Sequence, residues 1–170
     1  MRSPHIPARR SARAGLLPLI LAVACAKGKD DTGGEACDPS ASGPGEARAE
    51  VNSAAWLGPD ATWVASGDGV QITTSVGDGF RLTLVAYGVL DAISEGRLPQ
   101  TAPMDAAGLE AWGVLYPEDG SSYSSKAGEG GSLTLFALEG DQLSGCFSFG
   151  AASGDEALRV SDGSFLAQPL

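Results

Sequence analysis

The chain's fold is constrained most by a succession of short β-prone runs separated by glycine-containing turns. The runs are rich in Val, Thr, Leu and aromatic residues. Asp-Gly and Gly-Asp pairs supply the positive φ angles that tight hairpins require. The predicted strands are Ala47–Asn52, Ala54–Leu57, Ala61–Ala65, Val70–Val76, Phe80–Tyr87, Trp112–Tyr116, Ser121–Ser125, Ser132–Leu138, Gln142–Phe149, Leu158–Ser161 and Ser164–Ala167. The predicted turns are Asp68-Gly69, Asp78-Gly79, Asp119-Gly120, Gly140-Asp141 and Asp162-Gly163.

The spacing of these runs predicts a single antiparallel β-sandwich or flattened barrel. Between Phe80 and Tyr87, Phe, Leu, Leu and Ala alternate with Arg, Thr, Val and Tyr, which is the period of two that a half-buried strand shows. Many short strands at close spacing are typical of an all-β domain. Only Leu90–Leu98 and Thr101–Ala111 lack this rhythm, and Pro103 is predicted to open a short helix there.

Residues 1–24 have the organisation of a secretory signal peptide. Four arginines precede the apolar run Ala14–Ala24. That run is much shorter than the roughly 20 residues that a membrane-spanning helix needs. Ala22-Val23-Ala24 satisfies the rule for cleavage before Cys25. An ordinary soluble secreted protein, cut at the same bond, is one interpretation of this segment.

The alternative interpretation is a lipid anchor at Cys25. The stretch Leu21–Cys25 resembles a bacterial lipobox, with Ala22 where leucine is usual. We therefore predict that Cys25 is lipidated and becomes the mature N-terminus, and that its acyl chains hold the protein on a membrane. Ala26 follows the cysteine, and this resemblance implies the outer membrane of a bacterial cell envelope, because retention at the inner membrane usually requires Asp there.

Residues 25–46 are predicted to be a flexible linker, and residues 47–170 to be the β-domain. The segment after Cys25 contains no large apolar residue, so burial cannot offset the entropy of ordering it. Two further cysteines remain, Cys37 in this linker and Cys146 in a predicted strand. If Phe147 faces the core, Cys146 faces outward and is accessible to Cys37. An oxidising compartment favours a Cys37–Cys146 disulfide that folds half of the linker back, and two free thiols are the alternative.

Charge and the absence of histidine after processing exclude several functions. Loss of residues 1–24 removes four arginines and His5, and lowers the net charge from −10 to −14. Such an acidic chain is a poor partner for nucleic acid. Without histidine, Ser-His-Asp and Cys-His catalysis and histidine metal sites are excluded. We therefore expect no catalytic residues, no cofactor and no metal, and we predict that the protein is not an enzyme.

Three weaker hypotheses remain open. The aspartates of the turns suggest calcium, although each is explained by hairpin chemistry and the EF-hand spacing is absent. A glycan platform formed by Trp56, Trp63 and Trp112 would require exposed rings, whereas tryptophans on strands usually lie in the core. A hydrolase with two catalytic carboxylates would require a facing pair of buried acids.

Four segments of the domain resemble a family of small bacterial lipoproteins with a β-rich domain. Val51–Trp56 matches its V-N-G-x-x-W opening, with Ser53 where glycine is usual. Gly131–Leu135 resembles its G-x-hydrophobic-T-hydrophobic strand, Leu143–Phe149 matches S-G-x-F-x-F, and Val160–Phe165 matches the closing D/N-G-x-F. The family carries no assigned activity, so the resemblance implies only fold and location. The sequence thus predicts an exported, lipid-anchored envelope protein with a non-catalytic binding or scaffolding domain, whose partner is an envelope protein or a glycan.

Overall fold

The computed structural model describes residues 37–170, which form an all-β domain, as predicted. Its strands are β1 (Glu46–Val51), β2 (Ala54–Pro59), β3 (Thr62–Ser66), β4 (Gly69–Thr73), β5 (Phe80–Ala86), β6 (Gln100–Met104), β7 (Ala111–Pro117), β8 (Tyr123–Ser124), β9 (Gly130–Glu139), β10 (Gln142–Ser153) and β11 (Glu156–Pro169). One short helix, α1 (Leu90–Ser94), and a 3₁₀ turn, Pro39–Ala41, complete the described elements.

Strand pairing closes this sheet into a flattened barrel. Hydrogen-bonded neighbours follow the order β11-β3-β4-β5-β7-β6-β9-β10, and β10 pairs again with β11. Strand β8 pairs with both β7 and β10. Most pairs are antiparallel, as predicted, but the ring contains two short parallel contacts, β3 with β11 and β6 with β7. These two contacts are the shortest strand pairings of the ring.

The β1–β2 hairpin lies outside this ring and extends it. Strand β1 pairs with β11, and the same edge of β11 then accepts β3 at Gln168 and Pro169. The outer edge of β2 is partly covered, because the Leu57 N–H donates to the Asp78 carboxylate (2.9 Å). An edge protected in this way is a poor template for pairing with another chain.

Alternate residues of the strands point into the barrel and build one core. Fully buried side chains include Ile72 of β4, Leu84 of β5, Leu115 of β7 and Phe165 of β11. The Ile93 side chain of α1 packs against the same cluster. The barrel interior is therefore filled by side chains.

Glycines opposite the aromatic rings make this core possible. On β10 and β11, Gly145 pairs with Phe165 and Phe147 pairs with Gly163. A Cβ on Gly145 would lie 2.5 Å from the Phe165 ring, and a Cβ on Gly163 would lie 2.5 Å from the Phe147 ring. The glycine of the S-G-x-F-x-F motif thus leaves space for the phenylalanine of the D-G-x-F motif. The glycine of the D-G-x-F motif in turn leaves space for the first phenylalanine of the S-G-x-F-x-F motif.

The first described residues form a strap, residues 37–45, across β10 and β11. Cys37 and Cys146 are joined by a disulfide, as predicted, with their Cα atoms 6.1 Å apart. The Ser42 and Ser164 hydroxyls, both buried, are hydrogen-bonded at 2.9 Å. The disulfide and the serine pair hold this part of the linker on the sheet, in agreement with the prediction that a Cys37–Cys146 disulfide folds half of the linker back. Residues 1–36, which include the predicted signal peptide and Cys25, lie outside the described residues.

Two local predictions were wrong. Pro103 lies in β6 and does not open a helix. It is tolerated because β6 contacts β7 only at Met104, so that one edge of the strand is largely unpaired. Asp162-Gly163 is not a hairpin turn, since β11 continues through it with a bulge at Asp162 (φ 51°).

Candidate functional site

The three tryptophans do not form a shared platform. Trp56 is 3 % exposed, and its Nε1–H donates to the Gly77 carbonyl. Trp63 is half-buried and donates to the carbonyl of Asp141 (2.8 Å). Each ring thus has its own structural partner.

The ring of Trp112 lies on the outer face of the barrel and is also engaged. Its Nε1–H donates to the Tyr87 hydroxyl (3.2 Å). The Lys126 ammonium lies 4.8 Å from the ring centroid, at cation–π distance. Because Lys126 covers this ring, the geometry does not favour the glycan hypothesis.

The carboxylates of residues 37–170 lie at the surface. All are exposed except Glu46, which is half-buried and paired with Arg48 at 2.9 Å. Within this range, no group of three or more His, Cys, Asp or Glu side chains is placed to hold a metal ion. Neither the calcium hypothesis nor the carboxylate hydrolase hypothesis finds its required arrangement among the described residues.

A groove lies on the outer face of β9, β10 and β11. Its volume is about 780 Å³. Phe149 and Ala151 of β10 point into the core, so the alternate residues of that strand point outward. The floor therefore consists of small side chains: Ser148, Gly150, Ala152 and, opposite Ala152 on β11, Ala157.

Two opposite charges flank the centre of this groove. Arg159 of β11 is the register partner of Gly150. On the other side of β10, the Cβ of Glu129 would lie 3.1 Å from a Cβ added to Gly150. Both side chains are exposed. The N and Cα atoms of Glu129 lie 3.2 and 3.6 Å from the same point, so Glu129 covers the outer face of Gly150.

The β1–β2 turn holds Arg159 in place. The Asn52 Oδ1 accepts the backbone N–H of Arg159 (2.8 Å), and the Asn52 N–H donates to the Arg159 carbonyl (2.8 Å). Asn52 has φ 50°, a conformation that asparagine tolerates better than most residues. The asparagine of the V-N-S-x-x-W segment thus positions one wall of the groove.

Arg159 differs from the other four cations of residues 37–170. Arg48 and Arg97 form ion pairs with Glu46 and Glu95. Arg81 and Lys126 lie over the rings of Tyr116 and Trp112. Within the described chain, no such contact engages the guanidinium of Arg159.

Sequence reasoning did not find this groove. Its residues come from three strands and a turn, and their convergence depends on the pairing of β9, β10 and β11. One available signal was the glycine-rich stretch Gly128–Gly131, which approaches backbone atoms of β10. The isolation of Arg159 in an acidic chain was another.

Comparison of the chain with known protein families, curated proteins and solved structures gives no match. Among residues 37–170, no helix has the length and apolar character needed to cross a membrane. Functional inference therefore depends on the residues of this chain and on their arrangement.

Proposed function

We propose that this protein is a lipid-anchored component of the bacterial cell envelope, held at the outer membrane through Cys25, and that its barrel is a non-catalytic binding domain. The observation that carries the proposal is the use of the three cysteines. Cys37 and Cys146 pair in a disulfide, and the remaining cysteine is Cys25, directly after the apolar run.

The disulfide supports export. Protein disulfides persist in oxidising compartments and are rare in the bacterial cytosol. The pairing joins a strap residue to a strand residue 109 positions away, so it stabilises the tertiary fold and not merely a local loop. A protein stabilised in this way suits the space beyond the inner membrane, to which the predicted signal peptide directs it.

The barrel supports binding over catalysis. Its interior is filled, its described carboxylates are at the surface, and its outer face carries a groove lined by one arginine and one glutamate. Such a surface offers charge and shape to a ligand. It provides no buried acid and no activated nucleophile for a reaction step.

Replacement of Cys25 by serine tests the anchor. We expect Cys25→Ser to move the protein from the membrane pellet to the soluble fraction of broken cells. Mass spectrometry of the wild-type mature N-terminus should show acyl chains on Cys25.

The matched control is Cys146→Ser, which removes a different cysteine and leaves Cys25 in place. This variant should remain in the membrane pellet. Retention of Cys25→Ser in the pellet, or an unmodified Cys25 at the mature N-terminus, would contradict the anchor.

A further inference from the structure

We infer that the first part of the strap is a stored length of tether, which the Cys37–Cys146 disulfide keeps folded on the barrel and which a dithiol releases. Opening the disulfide then lets the barrel extend farther from the membrane that holds it. This inference rests on the proposed anchor at Cys25 and adds a redox-controlled reach to it. The argument comes from where the strap is attached, what its first residues contact, and how many residues lie between its attachments.

The strap is attached to the sheet at two points that are neighbours. The first attachment is the disulfide from Cys37 to Cys146 of β10. The second is the buried hydrogen bond between Ser42 and Ser164 of β11. Cys146 and Ser164 are register partners, and paired residues of antiparallel strands have Cα atoms only about 4.5–5.5 Å apart. Residues 37–42 therefore form a closed loop whose ends are held side by side, so the loop adds almost nothing to the reach of the chain.

The first part of this loop is held by the disulfide. Within the part of the chain that the structure describes, the hydrogen bonds of residues 38–41 all have their partners inside the strap. From Ser42 onward the strap has its own contacts with the barrel, since the Gly45 N–H also donates to the Leu166 carbonyl (2.7 Å). Opening the disulfide therefore frees residues 37–41 and leaves the chain fixed from Ser42.

The stored length is large compared with the tether that precedes it. Twelve residue steps join Cys25 to Cys37, and covalent geometry limits such a chain to a span of about 42 Å. With the disulfide open, seventeen steps join Cys25 to Ser42, and the limit rises to about 59 Å. The barrel thus gains about 17 Å of reach while its strands keep their pairing.

The release is a thiol–disulfide exchange in which the dithiol is oxidised and the protein disulfide is reduced. Cys37 is half-buried, whereas Cys146 is 6 % exposed, so the sulfur of Cys37 is the more accessible of the two. A thiolate of the dithiol attacks the Cys37 Sγ, the S–S bond breaks, and the Cys146 Sγ leaves with the electron pair and takes a proton. The second thiolate of the dithiol then attacks the mixed disulfide. Cys37 leaves as a thiolate and takes the second proton, and the dithiol becomes a disulfide.

The experiment places the full-length mature, acylated protein in a supported phosphatidylcholine bilayer. Neutron reflectometry measures how far the protein layer extends from the lipid headgroups. We expect dithiothreitol, which is a dithiol, to move the outer limit of this layer away from the bilayer by up to about 17 Å. The double variant Cys37→Ser/Cys146→Ser should show the larger extension from the start and no response to dithiothreitol. An unchanged layer after complete reduction of the disulfide would overturn the inference.

Two matched insertions separate the strap from the rest of the tether. Four residues, Gly-Ser-Gly-Ser, inserted between Ala41 and Ser42 lengthen the closed loop, so they should extend the layer only after reduction. The same four residues inserted between Gly33 and Gly34 precede the disulfide, so they should extend the layer equally in both states. Extension of the oxidised protein by the first insertion would show that the loop is not closed, and the inference would then be wrong.

NMR of the full mature chain with Cys25→Ser tests the release without the anchor. On reduction, the backbone order parameters of Ser40 and Ala41 should fall below about 0.6, whereas those of Gly45 and of β10 should stay near about 0.85. Strap residues that stay rigid after reduction, or loss of order in β10, would contradict the inference. A wild-type protein that shows this release but is not held by the bilayer would overturn the anchor alone, so the two proposals fail separately.

Discussion

Single glycines decide where the aromatic rings of this core lie. Gly145 accommodates Phe165, Gly163 accommodates Phe147, and Phe149 lies against Gly113. In each case a β-carbon would overlap a ring at less than 3 Å. The three phenylalanines then pack together, with the centroid of Phe147 lying 6.3 Å from that of Phe149 and 6.4 Å from that of Phe165.

Gly163→Ala should therefore destabilise the domain. A Cβ at this position would meet both the Phe147 ring and its carbonyl oxygen, and β10 and β11 cannot separate without breaking their pairing. We expect a loss of about 1–3 kcal/mol in the free energy of unfolding, the usual range for an overpacked core. Urea denaturation followed by tryptophan fluorescence measures it.

The control for this substitution is Gly43→Ala. The atoms nearest to a Cβ on Gly43 belong to the flexible end of the Glu46 side chain, which is able to move aside. Its effect should stay within about 0.5 kcal/mol, as for an ordinary surface change. Equal losses in the two variants would show that the contact between Gly163 and Phe147 is not the cause.

Ser53 is the one residue that departs from the glycine of the resembled V-N-G-x-x-W pattern, and its backbone has φ 64°. A non-glycine residue at this φ has a steric cost of about 1–2 kcal/mol in the folded state. Glycine removes this cost, but it also raises the conformational entropy of the unfolded chain, which offsets part of the gain. We expect Ser53→Gly to raise the free energy of unfolding by about 0.5 kcal/mol. Ser53→Ala should give no gain, and a gain of similar size in both variants would contradict this explanation.

The Tyr123 hydroxyl donates to the Glu156 carboxylate, and this hydrogen bond, with desolvation and the charge of Glu156, raises the pKa of Tyr123 above its usual 10.0. A raised pKa in the folded state means that this contact stabilises the protein fully below about pH 10. The contribution is lost as the pH rises through the folded pKa. A spectrophotometric titration should show one tyrosine of the wild type that ionises above pH 10. In Glu156→Gln, that tyrosine should ionise closer to pH 10. An identical titration in both would contradict the assignment.

Much of the residue-level pattern was predictable, because alternation and turn chemistry are local. Phe147 lies in the core, which is the condition from which an outward-facing Cys146 was predicted. Asp162-Gly163 was misassigned as a turn because the same dipeptide serves a bulge and a hairpin equally well. Only the long pairing of β10 with β11 distinguishes the two.

At the level of elements, the strap was predicted in part, because the sequence indicated the Cys37–Cys146 disulfide but not the contact between Ser42 and Ser164. Its composition is that of a linker, yet a disulfide and a buried serine pair fix it on the outer face of the sheet. The Asp38 carboxylate also accepts hydrogen bonds from the hydroxyl and N–H of Ser40, which lowers the pKa of Asp38. Composition predicts burial poorly for a segment that is held by a covalent bond.

Removal of this disulfide should cost more stability than any single polar contact of the strap. The bond closes a loop of 109 residues, for which chain-entropy estimates give a stabilisation of about 3–5 kcal/mol. We expect this loss in the double variant Cys37→Ser/Cys146→Ser, measured by urea denaturation. Ser42→Ala, which removes only the hydroxyl bonded to Ser164, should cost about 1–3 kcal/mol. A loss below that of Ser42→Ala in the double variant would contradict this role for the disulfide.

At the level of the whole molecule, closure of the barrel depends on contacts that no local pattern encodes. The chain's last residues pair in parallel with β3, about a hundred positions earlier in the sequence. A period of two predicts strands but not their neighbours. The choice between sandwich and barrel was therefore open from the sequence, whereas the pairing of Gln168 and Pro169 with β3 decides it.

Truncation after Ala167 tests this closure. It removes the pairing of β11 with β3, including the backbone hydrogen bonds from Gln168 N–H to the Ala61 carbonyl (2.9 Å) and from Leu170 N–H to the Trp63 carbonyl (3.0 Å), and leaves an open edge on β3. At about 0.5–1.5 kcal/mol each, these bonds predict a loss of about 1–3 kcal/mol. Full-length Gln168→Ala, which keeps both backbone bonds, is the control and should stay close to the wild type.

Hydrogen exchange identifies where the truncated barrel opens. If the C-terminal pairing closes the ring, amides of β3 and β4 should exchange faster in the truncated protein, while those of β9 and β10 keep their protection up to global unfolding. The reason is that β9 and β10 remain paired with each other and with β6 and β11, whereas β3 retains only β4. A uniform rise in exchange across all strands would show that the ring unfolds as one unit and that the C-terminal pairing with β3 does not open separately.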